Sequence, residues 1–194
     1  RHPIQPKGRL MTQGHLIAVV GPTGVGKDTV MAEMLRSDTN LIWAMRHITR
    51  AADPTGENHI PVSEPQFQVN LDQGAYALHW EAHGLRYGIP HSSVAGLSAG
   101  KDVLINLSRK VLAQAHDQFD RFIVIELTAP REVLAQRLAA RGRESAQEIE
   151  HRLNRVVDPL PDYVTQFKID NSGTISETLA LISTAMHHAQ KDLT

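Results

Sequence analysis

The sequence has no cysteine, few aromatic residues (5%) and no excess of either charge sign, with 20 basic against 21 acidic side chains. Zero cysteine excludes disulfide frameworks, thiolate zinc sites and cysteine nucleophiles. No apolar run approaches the roughly 20 residues that a membrane helix needs. Residues 1–10 (RHPIQPKGRL) lack the charged-then-apolar pattern of a signal peptide. A formal net charge of −1 offers no basic footprint for nucleic acid. These absences predict a cytoplasmic protein with neither nucleic-acid nor membrane partners. What is present is an ordinary globular composition, 41% hydrophobic over 194 residues, a length that suits one domain. Residues 1–14 read as a disordered leader and 15–194 as a single domain. Within the basic set Arg outnumbers Lys 14 to 6. The guanidinium fork suits phosphate, although genomic base composition alone produces the same skew.

Leu16–Val20 (LIAVV) reads as a buried parallel strand, followed by a Gly-rich turn and a helix with Val30, Met31, Met34 and Leu35 at helical spacing. Ile42–Ile48 reads as a further strand. Residues 50–100 differ in texture, with short turn-rich pieces, little helical period, and strand-like stretches at 76–80 and 84–88. Strand–helix alternation then resumes. Strands are expected at Val103–Leu107, Phe122–Leu127 and Phe167–Ile169. Helices are expected around Leu112, from Pro130 to about Arg141, from Ser145, and from about Ile175 to Ala189. Pro130 suits a first helical turn, and Ser145 with Glu148 three residues on suits a capping box. The pattern predicts a three-layer α/β fold with a parallel sheet and a small mixed subdomain at about 50–100.

The strongest motif is Gly21-Pro22-Thr23-Gly24-Val25-Gly26-Lys27-Asp28-Thr29, set between a buried strand and a helix. G-x-x-x-x-G-K is the Walker A pattern of a phosphate-binding loop (P-loop). Its glycines let consecutive N–H groups converge on phosphate oxygens, and the helix N-terminus adds a favourable dipole. Lys27 would reach the β and γ phosphates. The residue after this lysine is ordinarily Ser or Thr and binds magnesium. Here it is Asp28, with Thr29 one place on, so either can be the Mg²⁺ ligand. ATP with Mg²⁺ is the expected donor.

A second cluster lies between Arg131 and Arg155, where six of the fourteen arginines fall around Gly142. A helical hairpin that closes arginines over phosphates would supply the cations that phosphoryl transfer needs and would exclude water. This lid would span about 131–157. The bland alternative is a solvated hairpin with i,i+4 ion pairs such as Glu148 with Arg152.

These motifs, joined by Ile48-Thr49-Arg50, Gly56-Glu57-Asn58-His59 and Gly84-Leu85-Arg86-Tyr87-Gly88, resemble the guanylate kinase family from about His15 to Ile182. The resemblance implies that Arg50 and Tyr87 hold an acceptor phosphate, with His59 where the family has a Tyr. It implies that Arg137, Arg141 and Arg152 surround the donor. The departures concern guanine, whose N1–H and amine need carboxylate acceptors. The family's guanine-reading Glu falls at about Leu78 or His79, the acids of the 103–107 strand become INLSR, and a second basic residue becomes Asp53. Glu81 lies close enough along the chain to return a carboxylate to the pocket.

More specifically, R-H-I-T-R (46–50), G-E-N-H-I (56–60), L-R-Y-G, N-L-S-R (106–109) and R-G-R-E-S are similar to the ribose 1,5-bisphosphate phosphokinases of that fold. This implies transfer from ATP to the 1-phosphate of ribose 1,5-bisphosphate, giving 5-phosphoribosyl 1-diphosphate (PRPP) in phosphonate breakdown. A bisphosphate without a base should trade carboxylates for cations, which Arg46, Arg50, Arg86 and Arg109 would supply. Glu57, Asn58, His59, Ser63, Tyr87 and Asn106 complete the candidate acceptor contacts, and Asn171 is the candidate adenine contact. A nucleoside monophosphate kinase remains the alternative. A non-catalytic module is a third reading, but such modules often lose the P-loop lysine or the lid, and both are kept here. The eleven histidines form no H-E-x-x-H, so no structural metal is expected. Trp43 and Trp80 read as core. The partners expected are ATP and a small sugar bisphosphate, and a homodimer is left open.

Overall fold

The structure, a computed structural model, describes residues 13–51, 59–142, 145–154 and 159–192. Five strands form an entirely parallel sheet: β1 (Leu16–Val20), β2 (Leu41–Trp43), β7 (Asp102–Asn106), β8 (Phe122–Thr128) and β9 (Thr165–Asp170), in the order β2-β7-β1-β8-β9. The first strand thus lies at the centre, with β7 and β8 inserted on either side of it. Such a switch point leaves a crevice beyond the carboxyl ends of the strands, where α/β proteins bind ligands. A second, mixed sheet has the order β4-β3-β6-β5, from β3 (His47–Ile48), β4 (Ile60–Pro61), β5 (Tyr76–Ala82) and β6 (Leu85–Pro90). The helices are α1 (Lys27–Ser37), α2 (Glu64–Asp72), α3 (His91–Val94), α4 (Leu112–Gln118), α5 (Arg131–Ala140), α6 (Ala146–Leu153) and α7 (Ile175–Asp192).

Alternation along β1 explains the layering. Leu16, Ala18 and Val20 pack with Val103, Ile105 and Val124 on one face, together with Leu112 of α4 and Leu78, Trp80 and Ile89 of the small sheet. Ile17 and Val19 pack on the other face with Val30, Met31 and Met34 of α1, Leu134 of α5 and Ile182 of α7. Each fully buried aliphatic side chain of this kind contributes roughly 1.5–3 kcal/mol. Among the described residues, no helix is long and apolar enough to cross a membrane.

Three differences from the sequence reading have physical causes. Ile42–Ile48 is not one strand: β2 ends at Trp43 and pairs with β7, whereas β3 pairs with β4 and β6 in the other sheet. A continuous apolar run cannot show that the chain changes sheets midway. Helix α2 went unread because Phe67 is its one buried side chain, so it carries no helical period. Its start was legible, since Ser63 Oγ accepts from the Gln66 N–H at 3.3 Å and Pro65 sits in the first turn. Gln13 and Gly14, the end of the expected leader, both donate N–H groups to the Leu97 carbonyl and so belong to the fold.

Candidate functional site

The loop from Gly21 to Gly26 leaves the carboxyl end of β1 and enters α1. Gly26 caps that helix at φ 97°, with no side-chain hydrogen bond at the cap. This left-handed conformation penalises any Cβ, and the uncapped helix start suits an anion. Lys27 Nζ donates to the carbonyls of Gly21 (3.0 Å) and Pro22 (3.3 Å), which folds its ammonium across the loop. Asp28 and Thr29 are exposed in the first turn of α1, where two oxygen-bearing side chains suit a hard divalent cation.

The loop is braced from behind. Asn171, 6% exposed, donates Nδ2 to the Val25 carbonyl at 2.7 Å and accepts from Thr178 Oγ1 at 2.7 Å. Arg137 of α5 donates Nη1 to the Val25 carbonyl (3.2 Å) and Nη2 to the Asn171 carbonyl (2.8 Å). The structure therefore puts Asn171 underneath the loop as a buried support, rather than at a surface where a base could lie. Of the three arginines that the resemblance sets around the donor, Arg137 is docked on the loop. Arg141 is exposed at the end of α5. Arg152 is exposed on α6 and lines a cavity of about 190 Å³ with Pro22, Thr23, Arg131 and Leu138.

The two helices α5 and α6 form where the sequence predicts them. Ser145 and Glu148 form a reciprocal capping box at the start of α6, and hydrogen bonds from Ser145 hold the Glu148 carboxyl below its ordinary range. Arg131 Nη1 and Nη2 donate to the Leu153 carbonyl (3.0 Å) and Asn154 Oδ1 (2.8 Å), tying the two helices together. Arg143, between them, lies outside the described residues.

On the acceptor side, strand alternation sorts the candidates. Arg46, 6% exposed, donates Nη1 to the Asn106 carbonyl at 2.9 Å, and its guanidinium stands 5.9 Å from the centroid of the Tyr87 ring. Tyr87 stacks at 5.1 Å and 8° on Trp80. Arg109, in the turn after β7, pairs with Glu126 Oε1 of β8 at 2.5 Å. Arg46 is thus joined to Tyr87 and to the backbone carbonyl of Asn106, while the Asn106 side chain follows the alternation of Leu104 to the other face and Arg109 is joined to Glu126. Arg86 follows the opposite alternation to Tyr87, lies 4.4 Å from the centroid of the Phe67 ring and donates to Gln68 Oε1 at 3.0 Å, so its charge serves α2 rather than the pocket. Glu81 faces the same way, 3.6 Å from Arg86, and returns no carboxylate to the Tyr87 face. Ser63, a candidate for sugar hydroxyls, is spent as the cap of α2. Arg50 is exposed, and its carbonyl accepts from His59 Nε2 at 3.3 Å. Glu57, Asn58 and Asp53 lie outside the described residues.

Gly88 is required by close approach: a Cβ there would fall 2.5 Å from the Tyr76 ring. That ring places its hydroxyl 3.0 Å from His47 Nδ1 and 3.1 Å from Asn70 Nδ2, locking β3 and α2 onto β5. Burial lowers the His47 pKa, which favours the neutral ring beside the Tyr76 hydroxyl.

Sequence reasoning missed Glu126, Thr178 and the Tyr76 network. Glu126 did carry a signal, because a lone carboxylate in the otherwise apolar FIVIELT strand needs a partner. Thr178 carried none. Among the described residues, no group of three or more His, Asp or Glu is placed to hold a metal ion.

Comparison with known proteins places this geometry. Residues 13–189 match the family model "Guanylate kinase". A ribose 1,5-bisphosphate phosphokinase PhnN of Ruegeria sp. is 49% identical over 86% of this chain and 88% of its own length. A bifunctional ribose 1,5-bisphosphokinase-thymidine phosphorylase of Azorhizobium caulinodans is 42% identical over 85% of this chain, which spans 24% of that longer protein. Among solved structures, a guanylate kinase from Anaplasma phagocytophilum superposes with TM-score 0.66 at 19% identity, covering 93% of this chain and 88% of that one, a likeness of fold. With the family model running through residues 13–189 and, across 86% of its length, 49% identity to one of these relatives, this chain belongs to the guanylate kinase family.

Proposed function

We propose that the protein transfers the γ-phosphoryl group of ATP to the 1-phosphate of ribose 1,5-bisphosphate, forming PRPP and ADP, a step of phosphonate breakdown. Relatives carrying the ribose 1,5-bisphosphate phosphokinase name support the reading, one of them 49% identical over 86% of this chain and 88% of its own length. The observation that carries it is the character of the acceptor face. Of the two positions where the family's guanine-reading Glu falls, Leu78 is fully buried in the core and His79 is exposed, and neither is a carboxylate that could accept from guanine. The carboxylate on that side of the sheet, Glu126, is engaged by Arg109. A pocket built to hydrogen-bond a base discriminates poorly without acceptors for it, whereas Arg46 and Arg109 suit phosphate.

A phosphate monoester has a second pKa of about 6, so the attacking oxygen is already anionic near neutrality and needs no strong general base. The chain's own work is then positioning and charge. Lys27 leaves the Gly21 and Pro22 carbonyls for donor phosphate oxygens, and the α1 terminus supplies N–H groups. Arg137 stays beside the loop while Arg141 and Arg152 arrive as the lid closes and water leaves. Asp28 and Thr29 would hold Mg²⁺, which when bound offsets phosphate charge and orients the transferring group.

The test is ADP release with ribose 1,5-bisphosphate and, separately, with GMP. Turnover of the sugar with little of GMP is expected; robust turnover of GMP with none of the sugar would replace this reading with a nucleoside monophosphate kinase.

A further inference from the structure

We infer that Glu126 is a positioning residue for the acceptor phosphate: its carboxylate holds Arg109 in one orientation over the end of the strand that feeds the P-loop. This rests on the phosphoryl-transfer reading above. Glu126 stands opposite Val20 in the β1–β8 register, and the loop begins at the next residue, Gly21. Alternation along β8 directs Glu126 to the face of Phe122 and Val124, the side of the sheet that packs against the acceptor subdomain through Trp80 and Leu107. Arg109 comes from beyond β7, and β1 lies between β7 and β8, so the 2.5 Å pair bridges the carboxyl end of the central strand.

Stability gives little reason for this pair. Both side chains are about four-fifths buried, with 19% and 18% exposure. Taking two charges that far out of water cancels most of their mutual attraction, and an apolar pair of similar volume would serve the fold equally well. Its place in the crevice is where ligands of parallel sheets bind, which is a reason to keep it. The chemistry is specific. A guanidinium has five N–H donors in a rigid plane, so fixing Nη2 on a carboxylate fixes the direction of the whole fork. Arg46 is anchored differently, on the neutral backbone carbonyl of Asn106, so the two arginines have unlike supports. The anionic support also tempers the charge of Arg109, allowing it to orient a phosphate and then release a more highly charged product.

The experiment compares wild type, Glu126→Gln, Glu126→Leu, Arg109→Lys and the double variant Glu126→Leu/Arg109→Lys by steady-state kinetics and thermal melting. Wild type is first assayed with ribose 1,5-bisphosphate and with GMP. Failure of the sugar there rejects the proposed substrate and leaves Glu126 to be judged on the acceptor that is turned over. Hydrogen bonds to charged groups are worth roughly 1.5–3 kcal/mol, so Glu126→Leu should raise the acceptor KM about tenfold or more, with the ATP KM within about twofold. Glu126→Gln keeps an oxygen for Nη2 and should restore most of the acceptor KM. The double variant should be little worse than Arg109→Lys alone, because the carboxylate acts through that side chain. Acceptor KM unchanged in both Glu126 variants would overturn the inference, as would a rise in ATP KM equal to that for acceptor. If Glu126→Leu fails to fold, Glu126→Ala, which removes the carboxylate with less bulk, combined with Arg109→Lys decides by the same additivity: independent, multiplying effects reject the positioning role.

Discussion

Replacing Asn171 with Ala removes the brace beneath the P-loop, and the structure sets the size of the effect. Two 2.7 Å hydrogen bonds disappear, one to the Val25 carbonyl and one from Thr178. Neither partner is orphaned: Arg137 still reaches Val25 at 3.2 Å, and Thr178 still reaches the Thr174 carbonyl at 3.3 Å. The loss is therefore the net value of two bonds, about 0.5–1.5 kcal/mol each, without a full desolvation penalty. A total near 2 kcal/mol should lower Tm by about 4–8 °C in a chain of this length. Asn171→Asp should be worse, because a carboxylate cannot donate to Val25 and would be buried against a carbonyl oxygen. Because Val25 sits inside the loop, both variants should also raise the ATP KM and leave the acceptor KM nearly unchanged. Differential scanning calorimetry and initial-rate kinetics read both effects. Melting within about 1 °C of wild type together with an unchanged ATP KM would refute the brace. So would an Asp variant more stable than the Ala one.

Lys27→Ala should reduce kcat by about 10²–10³ while circular dichroism stays native, since the ammonium acts on charge rather than on the fold. Unchanged ATP-dependent turnover would remove the P-loop from the mechanism. Gly88→Ala places a methyl 2.5 Å from the Tyr76 ring, so Tyr76 must move off His47 and Asn70. Overpacking of this kind costs about 1–3 kcal/mol, visible as a lower urea midpoint, and the acceptor KM should rise as β6 and Tyr87 shift. Burial holds the His47 pKa below its ordinary 6.5 in the folded state. Its contribution to stability is therefore complete above that value and is lost as pH falls through the lowered pKa. The urea-midpoint advantage of wild type over His47→Gln should shrink on acidification from about pH 7.5 to 5, and an advantage that grows would give the wrong sign.

Much of this architecture was legible in the residues because the signals were local. LIAVV, the glycine-lysine loop and the Ser145–Glu148 box each specify their own geometry within a few positions, and all three fold as read. The acceptor subdomain was less legible, because its meaning depends on which face a side chain takes. Arg86 and Tyr87 are adjacent and equally suited by type to phosphate, but a strand sends neighbours to opposite faces. The break at Ala44–Arg46 moves the chain from one sheet to another, something composition cannot show. Asn171 reads from the sequence as an adenine contact, and its buried amide beneath the loop is invisible without the partner at Val25. The Glu126–Arg109 pair joins positions 17 apart across an intervening strand, so only topology reveals it.

The acceptor is identified most directly by a coupled ADP-release assay in which purified protein, ATP and Mg²⁺ meet ribose 1,5-bisphosphate or GMP at matched concentrations. PRPP formation stoichiometric with ADP is expected from the sugar, with at most marginal turnover of GMP. Efficient phosphorylation of GMP with no product from ribose 1,5-bisphosphate would contradict the proposed function.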